Sequence, residues 1–256
     1  MNILQQFSLE GKTAMVTGAA KTTGLCYGMA SALHDAGAAV ALLDVSDEVY
    51  KLAEDLGGAA NRYHAVKMNL CDKESRNAGF NKALELLGGR VDILLNGAGI
   101  QFRCDANEFP EEKWEQVINI NLNSMFYMCQ QVFPVMEKQG GGKIINIASL
   151  TSFNASRRIA AYAASKGGVA QMTKALSNEW APKNILVNAI APGYMATELT
   201  KNMIDTDQGK AHTARIARGR WGTPDDLKGA TVFLASAASD YVSGAIIAVD
   251  GGYLAM

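Results

Sequence analysis

The chain has 256 residues, 24 of them basic and 25 acidic, so the formal net charge at pH 7 is -1. This balance offers no electrostatic reason to expect nucleic acid or an anionic membrane as a partner. Four cysteines lack the CxxC spacing of a metal knuckle, and only three histidines are present. We therefore expect neither a disulfide framework nor a metal site.

The N-terminal residues are too polar for a signal peptide, and no apolar run approaches the ~20 residues that a membrane span needs. We expect a cytoplasmic protein. The sequence contains no internal repeat, low-complexity segment or Pro/Gly-rich linker. Since α/β folds of this length are often one unit, we expect a single domain over residues 1–256.

Short apolar runs alternate with longer helical patterns along the chain. The first helical pattern covers about 25–36 and ends at Gly37, as a glycine that follows a helix would end it. Nearly continuous apolar strands separated by helices predict a parallel sheet covered on both faces. The predicted strands are 13–17, 39–43, 63–70, 91–96, 143–149, 185–190 and 245–249.

The first junction between a strand and a helix, residues 17–24, reads Thr-Gly-Ala-Ala-Lys-Thr-Thr-Gly. Glycine there lets the main chain approach a pyrophosphate, which the helix N-terminus stabilises. Asp44 ends the second strand, where its carboxylate can accept both hydroxyls of an adenosine ribose and repel a 2′-phosphate. Alone these are a tight turn and a surface aspartate; together they predict a dinucleotide site.

Tyr162 and Lys166 lie four residues apart on a predicted helix and so share one face. An ammonium within ~4–6 Å of a phenol can lower its pKa by about one to three units, so we expect Lys166 to lower the pKa of Tyr162. Ser149 supplies a hydroxyl that could hold a substrate oxygen beside the phenol. A bare Tyr-x-x-x-Lys pattern is common by chance, so its meaning depends on the rest of the chain.

Taken in order and spacing, these segments resemble the short-chain dehydrogenase/reductase family from about residue 9 to the C-terminus. The resemblance rests on the glycine turn, the Asn-Gly-Ala-Gly segment 96–99, Asn121, Ser149, Tyr162, Lys166 and Pro192-Gly193. It implies a Rossmann-type, doubly wound α/β fold whose seven parallel strands follow the order 3-2-1-4-5-6-7, with helices on both faces. It also implies a homotetramer.

The resemblance assigns roles to individual residues. The implied catalytic residues are Asn121, Ser149, Tyr162 and Lys166, with Asn121 holding a water that lets protons leave. The implied cofactor-binding residues are Gly18, Lys21, Thr23, Gly24, Asp44, Asn69, Leu70, Asn96, Ala98, Gly99, Tyr162, Lys166, Pro192, Gly193 and Thr197. The implied substrate-binding residues are Arg103, Ser149, Arg158 and Tyr162.

Two positions bear on the choice of cofactor. Thr22 stands where the family turn has its middle glycine, and its side chain could either crowd a pyrophosphate or replace a main-chain contact. Lys21 occupies a place where relatives that prefer NADP often carry a basic residue, whereas Asp44 disfavours a 2′-phosphate. We expect Asp44 to decide and the cofactor to be NAD, with NADP as the alternative.

The segments 218–222 and 249–255 resemble a branch of the family that acts on sugar acids of the gluconate type. Arg103 and Arg158 match arginines of that branch, and the guanidinium fork suits a carboxylate. Residues of about 195–218 are polar and irregular in pattern, and we expect them to form a lid over the substrate. The predicted reaction is hydride transfer between NAD and a secondary alcohol or ketone of a sugar acid.

Alternative substrates are 3-oxoacyl groups, polyols and steroids, since all of these reactions use the same catalytic residues. From another class of protein, an NAD-binding sensor that does not turn over stays open, because Thr22 departs from the family turn.

Overall fold

The computed structural model describes residues 2–198 and 200–255. Seven parallel strands form one sheet in the order β3-β2-β1-β4-β5-β6-β7, which confirms the predicted fold class. The strands are β1 Thr13–Thr17, β2 Ala39–Asp44, β3 Tyr63–Lys67, β4 Ile93–Asn96, β5 Gly142–Ile147, β6 Ile185–Pro192 and β7 Ile246–Val249.

Helices cover both faces of this sheet. They are α1 Leu25–Asp35, α2 Glu48–Asp55, α3 Lys73–Leu86, α4 Glu111–Ile118, α5 Ser124–Lys138, α6 Ala160–Trp180, α7 Lys201–Ile204, α8 Asp207–Ala214 and α9 Pro224–Ala235. A π-helical turn, Asn119–Asn123, joins α4 to α5.

Alternate residues of the central strand β1 enter two separate apolar cores, because successive side chains of a strand point to opposite faces. Val16 packs with side chains of α1 and α9, including Met29 and Leu227. Met15 packs on the other face with α3, α5 and α6. The two cores hold the sheet rigidly between helical layers, so the loops at its edge start from fixed positions.

Two strands end earlier than their apolar runs. After β3, the Asn69 side chain accepts a hydrogen bond from the Cys71 amide (3.0 Å), which begins a turn. After β5, the Ser149 hydroxyl accepts from the Thr151 amide (3.2 Å) and begins a 3₁₀ turn. Side chains that bond their own main chain compete with the strand ladder, which explains both early ends.

The segment predicted as an irregular lid is largely helical. It contains α7 and α8, and its apolar residues Met203, Ile204 and Ile216 pack against the core that Leu150 helps to form. Leu199 of this segment lies outside the described residues. Within the described residues, no helix combines the length and apolar character required to cross a bilayer.

Candidate active site

The carboxyl ends of the parallel strands meet at one edge of the sheet, and the predicted site residues gather there. The strand order reverses between β1 and β4, which leaves a crevice between the loops that follow them. β5 ends just before Ser149, and β6 ends at Pro192. The crevice therefore lies beside the loops that carry the remaining predicted site residues.

The glycine turn after β1 is in close contact with the loop after β4. Gly18 has a φ of +76°, and a Cβ there would lie 2.7 Å from Ala98 Cα, so only glycine fits. Gly24 precedes α1 without a side-chain cap, which leaves the helix N-terminus open to a ligand. Thr22 and Thr23 are exposed. This cradle fits the pyrophosphate of a dinucleotide.

Asp44 lies against the glycine turn. Its Oδ2 accepts a hydrogen bond from the Ala20 amide (3.0 Å), and its Oδ1 accepts from the Ser46 amide (3.0 Å). The carboxylate is partly exposed, and two main-chain donors fix its position. Lys21 is exposed and forms no ion pair with Asp44 in the described structure. The fixed carboxylate is placed to receive ribose hydroxyls.

The loop of Asn69 and Leu70, two of the expected cofactor-binding residues, is held in place by a residue that the sequence analysis did not select. Arg76 of α3 is 6% exposed, and its guanidinium donates to the Leu70 carbonyl (2.7 Å). The same guanidinium lies 4.6 Å from the ring centre of Tyr127 on α5. Asn69 is exposed at the start of the loop. The burial of Arg76 could not be read from sequence, because it depends on packing against Tyr127, which is distant along the chain.

The side chain of Asn96 takes part in a buried network rather than facing the crevice. Its amide donates to Asn146 Oδ1 (3.0 Å), whose own amide donates to Thr173 Oγ1 (3.0 Å). Only the main chain of Asn96 is therefore available to a dinucleotide. A Cβ at Gly97 would collide with Cys26 Sγ, which accounts for a glycine there.

Tyr162 and Lys166 lie on α6 beneath the same edge. Lys166 is 3% exposed; its ammonium donates to the Ile147 carbonyl (2.6 Å) and lies 5.8 Å from the centre of the Tyr162 ring. Burial lowers the pKa of Lys166 to about 8. Burial also raises the pKa of Tyr162, and a hydrogen bond with Ser149 acts in the opposite direction.

The expectation that Lys166 lowers the pKa of Tyr162 is therefore wrong for the protein without a bound dinucleotide. Burial disfavours the charged form of both groups and is the largest influence on the pKa of each. Ser149, rather than Lys166, is the group that stabilises the phenolate in this state.

The low pKa of Lys166 predicts a dependence of stability on pH. Its folded pKa of about 8 lies below the unfolded value of 10.5, so the folded state binds fewer protons between these limits. The free-energy cost of burying the charged ammonium is thus present in full below pH 8, and it falls as the pH rises from 8 to 10.5. Relative to that of Lys166→Met, the free energy of unfolding of wild type should rise by up to about 1.4 kcal/mol per pH unit in this range.

Urea unfolding at fixed protein concentration, without dinucleotide, measures this difference. Lys174→Met removes an exposed lysine of the same helix and serves as the control. A difference between wild type and Lys166→Met that stays flat from pH 8 to 10.5 would contradict the buried position of Lys166.

Asn121 lies in the π-helical turn and is fully buried. Its Oδ1 accepts from the Ile100 amide (2.8 Å), and its Nδ2 donates to the Ile100 carbonyl (2.9 Å) and to Ser165 Oγ (3.1 Å). It thus joins the segment after β4 to α6. A Cβ at Gly99 would lie 3.3 Å from Asn121 Oδ1 and 3.7 Å from Lys166 Nζ. Gly99, Asn121 and Lys166 therefore meet, and the proton exit stays a prediction.

The loop after β6 closes the other side of the crevice. The Gly193 amide donates to the Val249 carbonyl (2.9 Å), and a Cβ at Gly193 would lie 2.6 Å from Asp250 Cα. The Thr197 hydroxyl lies 3.2 Å from that of Thr200. Pro192, Gly193 and Thr197 thus follow one another at the sheet edge where a nicotinamide was expected.

The two arginines expected to bind substrate differ in their surroundings. Arg158 pairs with Asp105 (3.2 Å), has a left-handed φ of 66°, and its carbonyl accepts from the Cys104 amide (3.0 Å). Arg103 is exposed and has no carboxylate partner among residues 2–198 and 200–255. Burial has the largest effect on the pKa values of Tyr194 and His212, and the positive charge of Arg103 lowers both. The sequence analysis did not select these two residues.

Comparison with known proteins agrees with this geometry. A family model described as Enoyl-(Acyl carrier protein) reductase matches residues 18–254. The chain belongs to the short-chain dehydrogenase/reductase family, as the resemblance predicted.

Individual relatives are similar over nearly their whole length. The 2-dehydro-3-deoxy-D-gluconate 5-dehydrogenase of Dickeya dadantii (strain 3937) is 48% identical over 255 residues, which are 99% of each chain. The enzyme of the same name from Bacillus subtilis (strain 168) is 47% identical and covers 97% of this chain and 96% of its own. These relatives confirm the predicted likeness to the sugar-acid branch.

A crystal structure of a gluconate 5-dehydrogenase from Burkholderia cenocepacia J2315 in complex with NADP and tartrate is also similar. Its TM-score is 0.93 at 36% identity, and the match covers 99% of each chain.

Proposed function

We propose that the protein transfers a hydride reversibly between NAD and a secondary alcohol carbon of a sugar acid. The observation that carries this proposal is the pair of half-buried Tyr162 and buried Lys166, which lies beside Ser149 and next to the crevice bordered by the glycine turn. Relatives that are 48% and 47% identical are named as dehydrogenases of a keto-deoxy sugar acid, which supports the substrate class.

The cradle supports NAD as the cofactor. Gly18 and Gly24 leave main-chain amides open to a pyrophosphate, and the fixed carboxylate of Asp44 suits a ribose with two free hydroxyls. The remaining expected contacts are proposed for Lys21, Thr23, Asn69, Leu70, Ala98, Gly99, Pro192, Gly193, Thr197 and the main chain of Asn96. NAD, when bound, accepts the hydride in the oxidising direction.

In that direction, the Tyr162 phenolate accepts the proton of the substrate alcohol and becomes the neutral phenol. When substrate is bound, Ser149 donates its single hydroxyl hydrogen to the reacting oxygen. Before substrate binds, a hydrogen bond from the same hydroxyl lowers the pKa of Tyr162. The positive charge of a nearby nicotinamide would further favour that phenolate. Lys166 is proposed to bind the nicotinamide ribose, and Asn121 to keep the proton path open.

Binding of the substrate carboxylate is proposed for Arg103, because its guanidinium has no carboxylate partner in the described residues. Arg158 can take part only by leaving Asp105, although such exposed pairs are worth only about 0–1 kcal/mol. The lid of α7 and α8 is proposed to cover the substrate.

A panel of substrates tests this function. NADH formation at 340 nm is compared for D-gluconate and related sugar acids, neutral polyols, hydroxysteroids and 3-hydroxyacyl thioesters. We expect the highest kcat/KM for a sugar acid. Highest turnover on a neutral or acyl substrate would refute the substrate class, and dinucleotide binding without turnover on any of them would favour a sensor.

We further propose a homotetramer that works in the cytoplasm. Trp114 of α4 and Phe126 and Tyr127 of α5 are large apolar side chains with 40%, 38% and 40% of their surface exposed. The Phe126 and Tyr127 rings adjoin, with 6.0 Å between their centres, and this exposed aromatic pair supports an interaction surface on α5. All four cysteines are free, as suits a reducing compartment. A monomeric mass by light scattering at micromolar concentration would contradict the assembly.

A further inference from the structure

A cluster of aromatic side chains supports helix α8. The Tyr194 ring stacks on His212 of α8 with 4.2 Å between centres and 21° between planes. Tyr194 also lies 5.2 Å from both Trp221 and Tyr253. The Trp221 indole donates to Thr213 Oγ1 (2.9 Å), which fixes the helix to the cluster. The position of α8 is thus defined by packing on its inner side.

Two guanidinium groups border this cluster. Arg215, directly after α8, lies 4.3 Å from the centre of the Tyr253 ring. Arg103 approaches from the loop after β4. Behind the effect of burial, both arginines lower the pKa of His212, so both charges lie within range of the imidazole. Neither arginine forms an ion pair with a side-chain carboxylate in the parts of the chain that are described.

The cluster adjoins the catalytic residues. Leu150, which follows Ser149 directly, packs in one apolar group with Trp221 and Tyr253. Tyr194 follows the Pro192-Gly193 segment, and the Arg103 loop bonds through Cys104 to the carbonyl of Arg158, four residues before Tyr162. A molecule whose reacting carbon lies at Ser149 and Tyr162 would therefore extend toward Arg103, His212 and Arg215.

We propose that Arg215 and His212 join Arg103 to bind the carboxylate of the substrate. The inference rests on the proposed function and names the residues that select its substrate class. Guanidinium groups bind carboxylates through two parallel hydrogen bonds, and stacking on Tyr253 orients that of Arg215 in advance. Two uncompensated positive charges beside aromatic rings attract an anion and disfavour a neutral ligand.

Single substitutions of these residues, compared with Arg158→Ala, show which arginines contribute to binding of the carboxylate. In Arg103→Ala and Arg215→Ala, we expect KM for D-gluconate to rise about tenfold to a hundredfold, since a charge-assisted contact is lost. Arg215→Lys should recover part of the loss, and His212→Ala should raise KM less than either arginine variant. KM for D-glucitol, a neutral polyol of equal length, should not change. Lys210→Ala, an exposed lysine of α8, is the matched control and should behave as wild type.

Direct binding keeps the test independent of turnover. D-gluconate is titrated by calorimetry into Tyr162→Phe protein saturated with NADH, with and without Arg215→Ala. We expect the protein with both substitutions to bind D-gluconate more weakly than Tyr162→Phe alone. The loss of affinity should equal the factor by which Arg215→Ala raises KM. Equal affinities would overturn the inference, even if no sugar acid is turned over and the proposed function fails. Sugar-acid turnover whose KM depends on Arg158 but not on Arg215 would overturn the inference and leave the proposed function standing.

Discussion

Tyr162→Phe is expected to abolish measurable turnover while NADH binding remains close to wild type. The substitution keeps the ring packed near Lys166 and removes only the hydroxyl that exchanges a proton with the substrate. General acid–base catalysis of this kind contributes about 10²–10⁴-fold to the rate, so kcat of the variant should be lower than that of wild type by at least about 10²-fold. Initial rates at 340 nm measure turnover, and NADH fluorescence measures binding.

Tyr241→Phe makes the same chemical change at a fully exposed tyrosine and provides the control for fold and expression. Turnover retained within tenfold in Tyr162→Phe would show that another group moves the proton. Loss of NADH binding in parallel with turnover would show instead that the phenol is needed to hold the cofactor.

Asp44→Ala is expected to reverse or erase the preference for NAD over NADP. Wild type should favour NAD because a 2′-phosphate would lie beside a carboxylate fixed by Ala20 and Ser46. Losing a hydrogen bond between a hydroxyl and a charged carboxylate costs about 1.5–3 kcal/mol, so kcat/KM for NAD should fall about tenfold or more. Relief of repulsion should raise kcat/KM for NADP in the same variant.

Asp47→Ala is the matched control, since Asp47 is a nearby exposed aspartate that pairs with Lys67 (2.7 Å). The comparison is informative because the gluconate 5-dehydrogenase of Burkholderia cenocepacia was crystallised with NADP. Higher kcat/KM for NADP than for NAD in wild type would overturn the choice of NAD and give Lys21 the larger influence.

The strands could be read from sequence because both faces of the sheet are apolar, whereas their order came from the resemblance to the family. Val16 and Met15 enter separate cores, and a continuous apolar run is the pattern that two buried faces require. The glycine turn and Asp44 were also readable, because neighbouring residues build that site. Binding of a dinucleotide by the glycine turn and Asp44 depends on local main-chain geometry, which a short sequence motif specifies.

Other features depend on contacts that no local pattern encodes. The pKa directions of Tyr162 and Lys166 follow from burial by the whole fold, and the pairing of Arg158 with Asp105 joins residues 53 positions apart. Asparagine is unfavourable inside a helix, and three occur within residues 119–123, but no pattern in the sequence predicted the π-helical turn that contains them.

The contact between Gly18 and Ala98 has a consequence for how such an enzyme can diverge. Because the loops after β1 and β4 touch at main-chain distance, neither can change shape without moving the other. The two loops that form the dinucleotide cradle are therefore one structural unit. The residues proposed to bind the substrate carboxylate are divided between this unit, which carries Arg103, and the later helix α8 with Arg215. Exchanging α8 alone between relatives should therefore change only part of the substrate specificity, because Arg103 stays with the dinucleotide cradle.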